Sequence, residues 1–560
     1  MGNFFLEITL IIGLASILSI IFRILKQPEI LAYILTGVLL GPLVFGKIEN
    51  PEFIRSLSEI GITLLLFMVG LELKFSDLKS VGKISLITGL GQIVFTSAVG
   101  FIIAILLGFS TIASLYIALA LTFSSTIIIV KLLSDKKDLR SLYGKISVGF
   151  LLVQDFVAVI ALIFLSGFSS NAVSIDLTSF IFLLLKAVVI FGGVIYLSRS
   201  ILPKIMEKIP HSPETLFLFS VAWAFGASYL VSSPPIGFSI EIGGFLAGLA
   251  LANSSESLQI SARVKSLRDF FIVLFFVSLG SGLIFENFYA ILFPSLVFSI
   301  FILVGNPIIV MILLGIFGYK KRTSFLAGLT VAQISEFSLI LVFLGLKLGH
   351  LTNETVAIIT LTGIITFTIS TYMIINGKLL FKYLSPYLNI FERKKTEIKE
   401  LEGSSLDNID NHIVIVGAEQ MGQSIIEALK KMGENFVVID FDPTYIRKFN
   451  EGELNFIFGD ISDLDIQQRA KIDNAKLVIS TIPDLEDNKF LLNELKQENR
   501  KVKIVMMAYD VKDAKALYRE GADYVILPHL AGGRQIAKIL TEEGLAHLEK
   551  LRELDKKYLV

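Results

Sequence analysis

GKISVGFLLVQDFVAVIALIFLSG, residues Gly144–Gly167, decides the fold. The stretch is long and apolar enough to cross a bilayer as a helix, which takes roughly 20 residues. Near its centre stand Gln154 and Asp155. A carboxylate at that depth costs about 3 kcal/mol or more unless it meets a partner or a wet cavity, and such residues mark ion and proton paths. The plainer alternative is an acid neutralised by a neighbouring helix for packing alone. We read Asp155 as a group that holds a monovalent cation and a proton in turn.

Working outward, a mean hydropathy of +0.73 over 560 residues excludes an ordinary soluble protein and points to a polytopic membrane protein. The 50 basic and 50 acidic side chains balance, so net charge favours no class of ligand and no nucleic-acid partner is expected. The absence of cysteine excludes disulfides and thiolate metal sites, and the five histidines show no metal-ligand spacing. The first apolar stretch lacks a basic n-region and a small-residue cleavage site, so a retained span is expected there.

Thirteen apolar segments can be drawn, near 4–25, 29–46, 56–73, 84–107, 112–133, 145–167, 178–198, 215–232, 237–253, 269–284, 288–317, 324–346 and 355–380. Alternate loops are basic, as in Lys131, Lys136, Lys137, Arg140 and Lys145, or the run Lys320, Lys321 and Arg322. The opposite loops hold only Lys47, Arg55 and Lys347. Basic loops stay cytoplasmic, which predicts an N-terminus outside, a cytoplasmic C-terminus and an inner-membrane location. Lys186, near the centre of the seventh segment, either snorkels, packs against a neighbour or pairs with an intramembrane acid.

Two segments read as interrupted. Thr122, Ser124, Ser125 and Thr126 lie at mid-membrane in the fifth, and Gln333, Ser335 and Glu336 at the same depth in the twelfth. Polar clusters of this kind suit helices whose backbone unwinds beside a cavity. Their places correspond if segments 1–6 and 8–13 are inverted repeats, and secondary transporters bind near the midplane at such a repeat interface. Ordinary interhelical packing is the alternative for Ser and Thr in a membrane helix. Glu241 is a further supporting intramembrane polar residue, and GGFLAGLALA from Gly243 to Ala252 fits close helix packing.

Composition shifts after about Leu384. We divide the chain into a transmembrane domain (1–385), a charged linker (386–411), a Rossmann-like domain (412–545) and a helical tail (546–560). In the third part HIVIVG, NFVVID, LNFIFGD, KLVISTI, VKIVMMA and DYVILP alternate with helical patterns, which predicts a doubly wound parallel sheet. The first strand turns into a helix through Gly417, Ala418, Glu419, Gln420, Met421 and Gly422, and the second ends at Asp440. This is the layout of a nucleotide fold, in which the acid holds ribose hydroxyls and the helix N-terminus holds phosphate. Glu419 stands where the second glycine of that fingerprint lets backbone approach a pyrophosphate, and it repels one. An adenine mononucleotide such as AMP is therefore expected before NAD, with Asp442 beside Asp440, and a purely structural domain is the alternative.

Together these features resemble the monovalent cation:proton antiporter-2 family, specifically its Kef-type members. The resemblance rests on Gln154-Asp155, on FSST (Phe123–Thr126), GGFLAGLALANSSE (Gly243–Glu256), FFVSLG (Phe275–Gly280) and AQISEF (Ala332–Phe337), and on Gly459-Asp460 after the third soluble strand. It implies a cation/proton antiporter fold of about thirteen spans with inverted repeats, followed by a regulatory RCK-type (TrkA-N-like) Rossmann domain in which Asp460 lies near the nucleotide. It also implies a homodimer with an elevator-type motion; an ancillary subunit is not specified. Family members often carry a lysine where Asn306 stands here, and the loop SESLQISARVKSLRDFF lacks the His-Ala-Leu-Glu-Ser pattern of glutathione-gated members.

The expected function is exchange of potassium or sodium for protons, with no cofactor required for transport. Asp155 is the proton and cation site, and Gln154, Thr122, Ser124, Ser125 and Thr126 supply oxygens. A nucleotide-gated cation channel is the alternative, but no TVGYG-like filter is present. A membrane-anchored dehydrogenase lacks a substrate domain and an acid–base pair, so no enzymatic activity is expected.

Overall fold

A computed structural model of the chain describes residues 2–48, 50–72, 82–136, 138–139, 141–166, 192–194, 196–202, 213–233, 238–252, 254, 256–283, 288–391, 409–440, 455–459, 461, 464–482, 485–497, 502–543 and 551–552. The chain divides into two compact units, one formed by Met1–Gly315 with Lys321–Phe391, the other by Glu392–Val560 with Ile316–Lys320.

The first unit is helical. It comprises α1 (Gly2–Ile24), α2 (Glu29–Leu40), α3 (Pro51–Glu72), α4 (Lys83–Leu106), α5 (Thr111–Thr122), α6 (Thr126–Asp135) and α7 (Leu142–Ser166). Later come α8 (Pro213–Ser232), α9 (Ile240–Leu251), α10 (Ser257–Ser281), α11 (Phe288–Ile300), α12 (Asn306–Ile316), α13 (Lys321–Leu329), α14 (Glu336–Lys347), α15 (Asn353–Ile375) and α16 (Gly377–Leu384). Among the described residues eight helical stretches are long and apolar enough to cross a membrane, the broken stretch Thr111–Asp135 counted as one, and α2 and α9 are shorter apolar helices. Most of the seventh expected segment, Lys186 included, lies outside the described residues.

α10 begins well before the apolar segment read from sequence. Its first turns are amphipathic, with Ile260 and Val264 fully buried one turn apart, so helical periodicity rather than overall hydropathy sets its start. α11 runs into α12 through one wide turn at Phe301–Gly305, directly before Asn306.

Two groups of helices form. α3 packs on α9 and α10, with α2 on α10 and α8 on α9; α4 packs on α5 and α7, and α14 on α5, α7 and α15. The first group is joined by glycines. A Cβ on Gly248 would run into the carbonyl of Phe67, and one on Gly70 into that of Phe245. Such close approach of backbones is how membrane helices gain packing energy where lipid provides no hydrophobic drive.

The second unit is a six-stranded parallel sheet. Its strands are β1 (His412–Val416), β2 (Phe436–Asp440), β3 (Phe456–Phe458), β4 (Ala475–Ser480), β5 (Lys503–Met507) and β6 (Tyr524–Ile526), in the order β3-β2-β1-β4-β5-β6. β1 and β2 are buried along their whole length, as strands covered on both faces must be. α17 (Gln420–Met432) follows β1 and ends in a left-handed cap at Gly433. The strand order reverses between β1 and β4, which opens the crevice where ligands bind in sheets of this kind.

Candidate ion-binding site and nucleotide fold

Both expected interruptions are present. α5 stops at Thr122, Phe123 is extended, and α6 restarts with Ser125 as N-cap, its hydroxyl accepting the Ile128 N–H at 3.2 Å. α13 stops at Leu329 and α14 restarts with Ser335 as N-cap, where Ser335 and Ser338 form a reciprocal capping box. The sequences FSST and ISEF break these spans because each supplies a serine that is itself extended at the N-cap, and its hydroxyl satisfies N–H groups that a continuous helix would have paired.

The two breaks meet. Ser125 Oγ donates to Glu336 Oε1 at 2.8 Å, and Ser124 Oγ reaches the Val331 carbonyl at 3.4 Å. Ser335 Oγ donates to the other Glu336 oxygen at 3.3 Å, so the buried Glu336 carboxylate is held by both capping serines. Asp155, on α7, lies beside this crossing. Its Oδ2 accepts the Thr126 hydroxyl at 2.8 Å. Asp155 and Thr126 are only half-buried, while Gln154, Thr122, Ser124 and Ser125 are fully buried.

The other residues singled out from sequence are placed as follows. Gln154 Oε1 accepts the Ser124 N–H at 3.0 Å and its Nε2 donates to Gln92 Oε1 at 2.6 Å. Thr122 Oγ1 donates to the Ala118 carbonyl at 2.8 Å and meets Ser97 Oγ at 2.9 Å. Asn306 is fully buried, accepting from Thr96 at 2.9 Å and donating to the Val331 carbonyl at 3.2 Å. Gln333 Oε1 accepts from Ser370 at 2.7 Å, and its Nε2 has no partner among the described residues.

Glu241 is elsewhere. It sits in the first turn of α9 and pairs with Lys347 at 3.3 Å, and Lys347 also reaches Glu59 at 2.9 Å. Glu241 Oε2 and Ser239 Oγ have no partner among the described residues, and Glu241 and Ser239 line a cavity of about 10 Å³, room for a single water.

Sequence reasoning did not single out Gln92, Thr96 or Ser97, which complete the polar shell. Their signal was available: Ser85, Thr88, Gln92 and Thr96 recur at helical spacing along α4 and all four are buried.

In the second unit Gly417 has φ +96°, and a Cβ there would lie 2.5 Å from Thr481 Oγ1. A Cβ on Gly422 would collide with the Gly417 carbonyl. Both glycines are therefore required by the tight turn and by the close seating of α17. Asp440 Oδ2 accepts the Ala418 N–H at 2.5 Å, which ties the end of β2 to that turn. Glu419, at the N-cap position, is exposed and does not cap, Gln420 is exposed and Met421 half-buried. Asp442 and Asp460 lie outside the described residues.

Comparison with known proteins agrees with this geometry. Residues 10–375 match the family described as sodium/hydrogen exchanger, transmembrane, and residues 413–528 match the TrkA-N domain. YbaL of Escherichia coli (strain K12), named as a cation/proton antiporter, is 28% identical over 557 residues, covering 96% of each chain. K(+) efflux antiporter 2, chloroplastic, of Arabidopsis thaliana is 26% identical over 543 residues, 93% of this chain and 45% of the plant protein. Among solved structures, the sodium proton antiporter MjNhaP1 from Methanocaldococcus jannaschii overlaps 69% of this chain and 99% of its own, with 19% identity and a TM-score of 0.49. With two serine-capped breaks hydrogen-bonded to each other beside an intramembrane carboxylate, and a TrkA-N domain following in the sequence, the chain belongs to the sodium/hydrogen exchanger family, as a Kef-type cation/proton antiporter.

Proposed function

We propose that the chain exchanges potassium for protons by competition at Asp155, with an N-terminus outside and a nucleotide-regulated cytoplasmic domain. The observation that carries this is the half-buried Asp155 carboxylate beside the crossing of the two breaks, with the Thr126 hydroxyl on one oxygen. A hard monovalent cation takes oxygen ligands, and a carboxylate, hydroxyls and carbonyls released at a helix break are of that kind. Asp155 holds either the proton or the dehydrated ion, so loading one requires releasing the other. Asn306 adds no charge beside the site, so one proton leaves for each cation bound and no net charge moves. Potassium is favoured over sodium by the likeness to the plant potassium antiporter along 93% of this chain. The chain works as a homodimer in the inner membrane, as the family resemblance implies, and catalyses no covalent reaction.

Regulation falls to the second unit. The Gly417–Gly422 turn, with both glycines sterically required, is a cradle a phosphate fits, and Asp440 stands at the ribose position. The exposed Glu419 carboxylate at the start of α17 does not suit a pyrophosphate, so an AMP-like ligand fits better than NAD.

The test is collapse of an imposed pH gradient in proteoliposomes of the full chain, with potassium and sodium added separately. Proton-coupled flux is expected with potassium, and Asp155→Asn abolishes it while the protein stays folded. Retained exchange in that variant, or conductive flux without proton movement, refutes the reading.

A further inference from the structure

Five hydrogen bonds run in one direction from the first break to the second. The Ser124 N–H donates to Gln154 Oε1 at 3.0 Å, and Gln154 Nε2 to Gln92 Oε1 at 2.6 Å. Gln92 Nε2 donates to Thr96 Oγ1 at 3.0 Å, Thr96 Oγ1 to Asn306 Oδ1 at 2.9 Å, and Asn306 Nδ2 to the Val331 carbonyl at 3.2 Å. Gln92 Nε2 also reaches the Thr122 carbonyl at 3.2 Å. The ends of the chain are therefore backbone groups of the two unwound segments, and every side chain between them is buried.

We propose that Gln92, Thr96 and Asn306, with Gln154, are positioning residues: a neutral strut that fixes the two breaks relative to each other and so places Thr126 against Asp155. The proposal rests on the reading of Asp155 as the exchange site. Neutrality is what distinguishes a strut from a proton path. Carboxamides and a threonine hydroxyl do not titrate in the physiological range, and each here acts as both donor and acceptor. Asn306 is needed for both of its ends. An ammonium at this position has donors but no acceptor, which would strand the Thr96 hydroxyl in a buried site. Gln154 belongs to the strut through its carboxamide, with both ends engaged, while its neighbour Asp155 faces the ion.

The strut predicts a particular pattern of loss. Cutting it anywhere interrupts the same chain of bonds, so double cuts are not multiplicative, although Gln92→Leu also loses the bond to the Thr122 carbonyl. Thr96→Val is close in shape and removes one link; Gln92→Leu removes another; Thr96→Ser restores the hydroxyl. Thr88→Val, on the same buried face of α4 but outside the chain of bonds, is the control.

In full-length protein reconstituted in vesicles, potassium/proton exchange is followed against potassium concentration and pH. Thr96→Val and Gln92→Leu should each lower turnover about tenfold or more, the scale of loss that misplacement of a fraction of an ångström to 1 Å brings. The double variant should lie within about threefold of the worse single, and Thr96→Ser should recover to within about twofold of wild type. Losses that multiply, a Thr96→Ser variant that does not recover, or unchanged turnover in either folded variant would overturn the strut. Exchange that survives Asp155→Asn in the same vesicles would instead overturn the reading of the site on which the strut depends.

Discussion

Lys347 closes α14 by pairing with two carboxylates from the other helix group, Glu59 on α3 at 2.9 Å and Glu241 on α9 at 3.3 Å. Removing the ammonium in Lys347→Met keeps an unbranched side chain and strands Glu241, whose side chain is 5% exposed and whose Oε2 already lacks a partner among the described residues. Breaking a buried ion pair from one side costs about 3–5 kcal/mol. Because Lys347 and Glu59 keep 29% and 27% exposure, the lower end applies, about 3 kcal/mol. Unfolding entropy grows with length, so in a unit this long that corresponds to a fall of roughly 3–6 °C in Tm. The chain carries its own probe: its single tryptophan, Trp223 on α8, donates to the Ala247 carbonyl of α9 at 3.0 Å, on the helix that bears Glu241. Thermal scans of Trp223 emission at one fixed rate in detergent should show the fall. Adding Glu241→Gln, which removes the stranded charge, should return at least half of it. An unchanged midpoint in Lys347→Met, or a double variant less stable than the single, refutes the reasoning.

Asn306→Lys should lower exchange rather than convert it, with currents on a solid-supported membrane at background in wild type and variant alike; a faster, current-generating variant would show that the position accepts a charge. Glu419→Gly should tighten NAD binding about tenfold, equivalent to roughly 1.4 kcal/mol of repulsion removed, by calorimetry on the full chain, and an unchanged NAD affinity would count against the clash. His412, fully buried at the start of β1 with its Nε2 on the Ala470 carbonyl at 2.9 Å, is held by burial below the usual histidine range. Its stabilising contribution is therefore complete above the unfolded value of about 6.5 and is lost as pH falls toward the lower folded one. Protection against hydrogen exchange at β1, measured relative to the intrinsic rate at each pH, should fall from pH 7.5 to 5.5, and His412→Gln, which keeps a donor for Ala470, should flatten that dependence.

What was legible in the sequence was what local chemistry writes there. FSST and ISEF announced breaks because a serine cap acts within three residues, and six β-rich strands spaced by helices left one sheet topology to expect. The strut was not legible, although every member is a plain polar residue. Thr96 and Asn306 are 210 positions apart, and no periodicity pairs them. Ser85, Thr88, Gln92 and Thr96 do carry a signal, a polar face at helical spacing on an apolar helix, but spacing within α4 does not say which distant residue that face meets. Glu241 shows that depth alone does not place a carboxylate: it pairs with Lys347, an ammonium that it shares with Glu59.

The glycine contacts between α3 and α9 have a consequence for anyone surveying this protein by saturation mutagenesis. Gly70 and Gly248 face carbonyl oxygens, Phe245 and Phe67 respectively, that no rotamer change can move aside. Alanine, the mildest replacement elsewhere, should be as damaging there as tryptophan, because the first added carbon already lacks room. At Asp155 the damage should instead depend on chemistry, with glutamate and asparagine failing for different reasons. A map of tolerance that records only whether a position accepts change would rank the two classes together. One that records which substitution fails first would separate a seam between backbones from a seat for an ion.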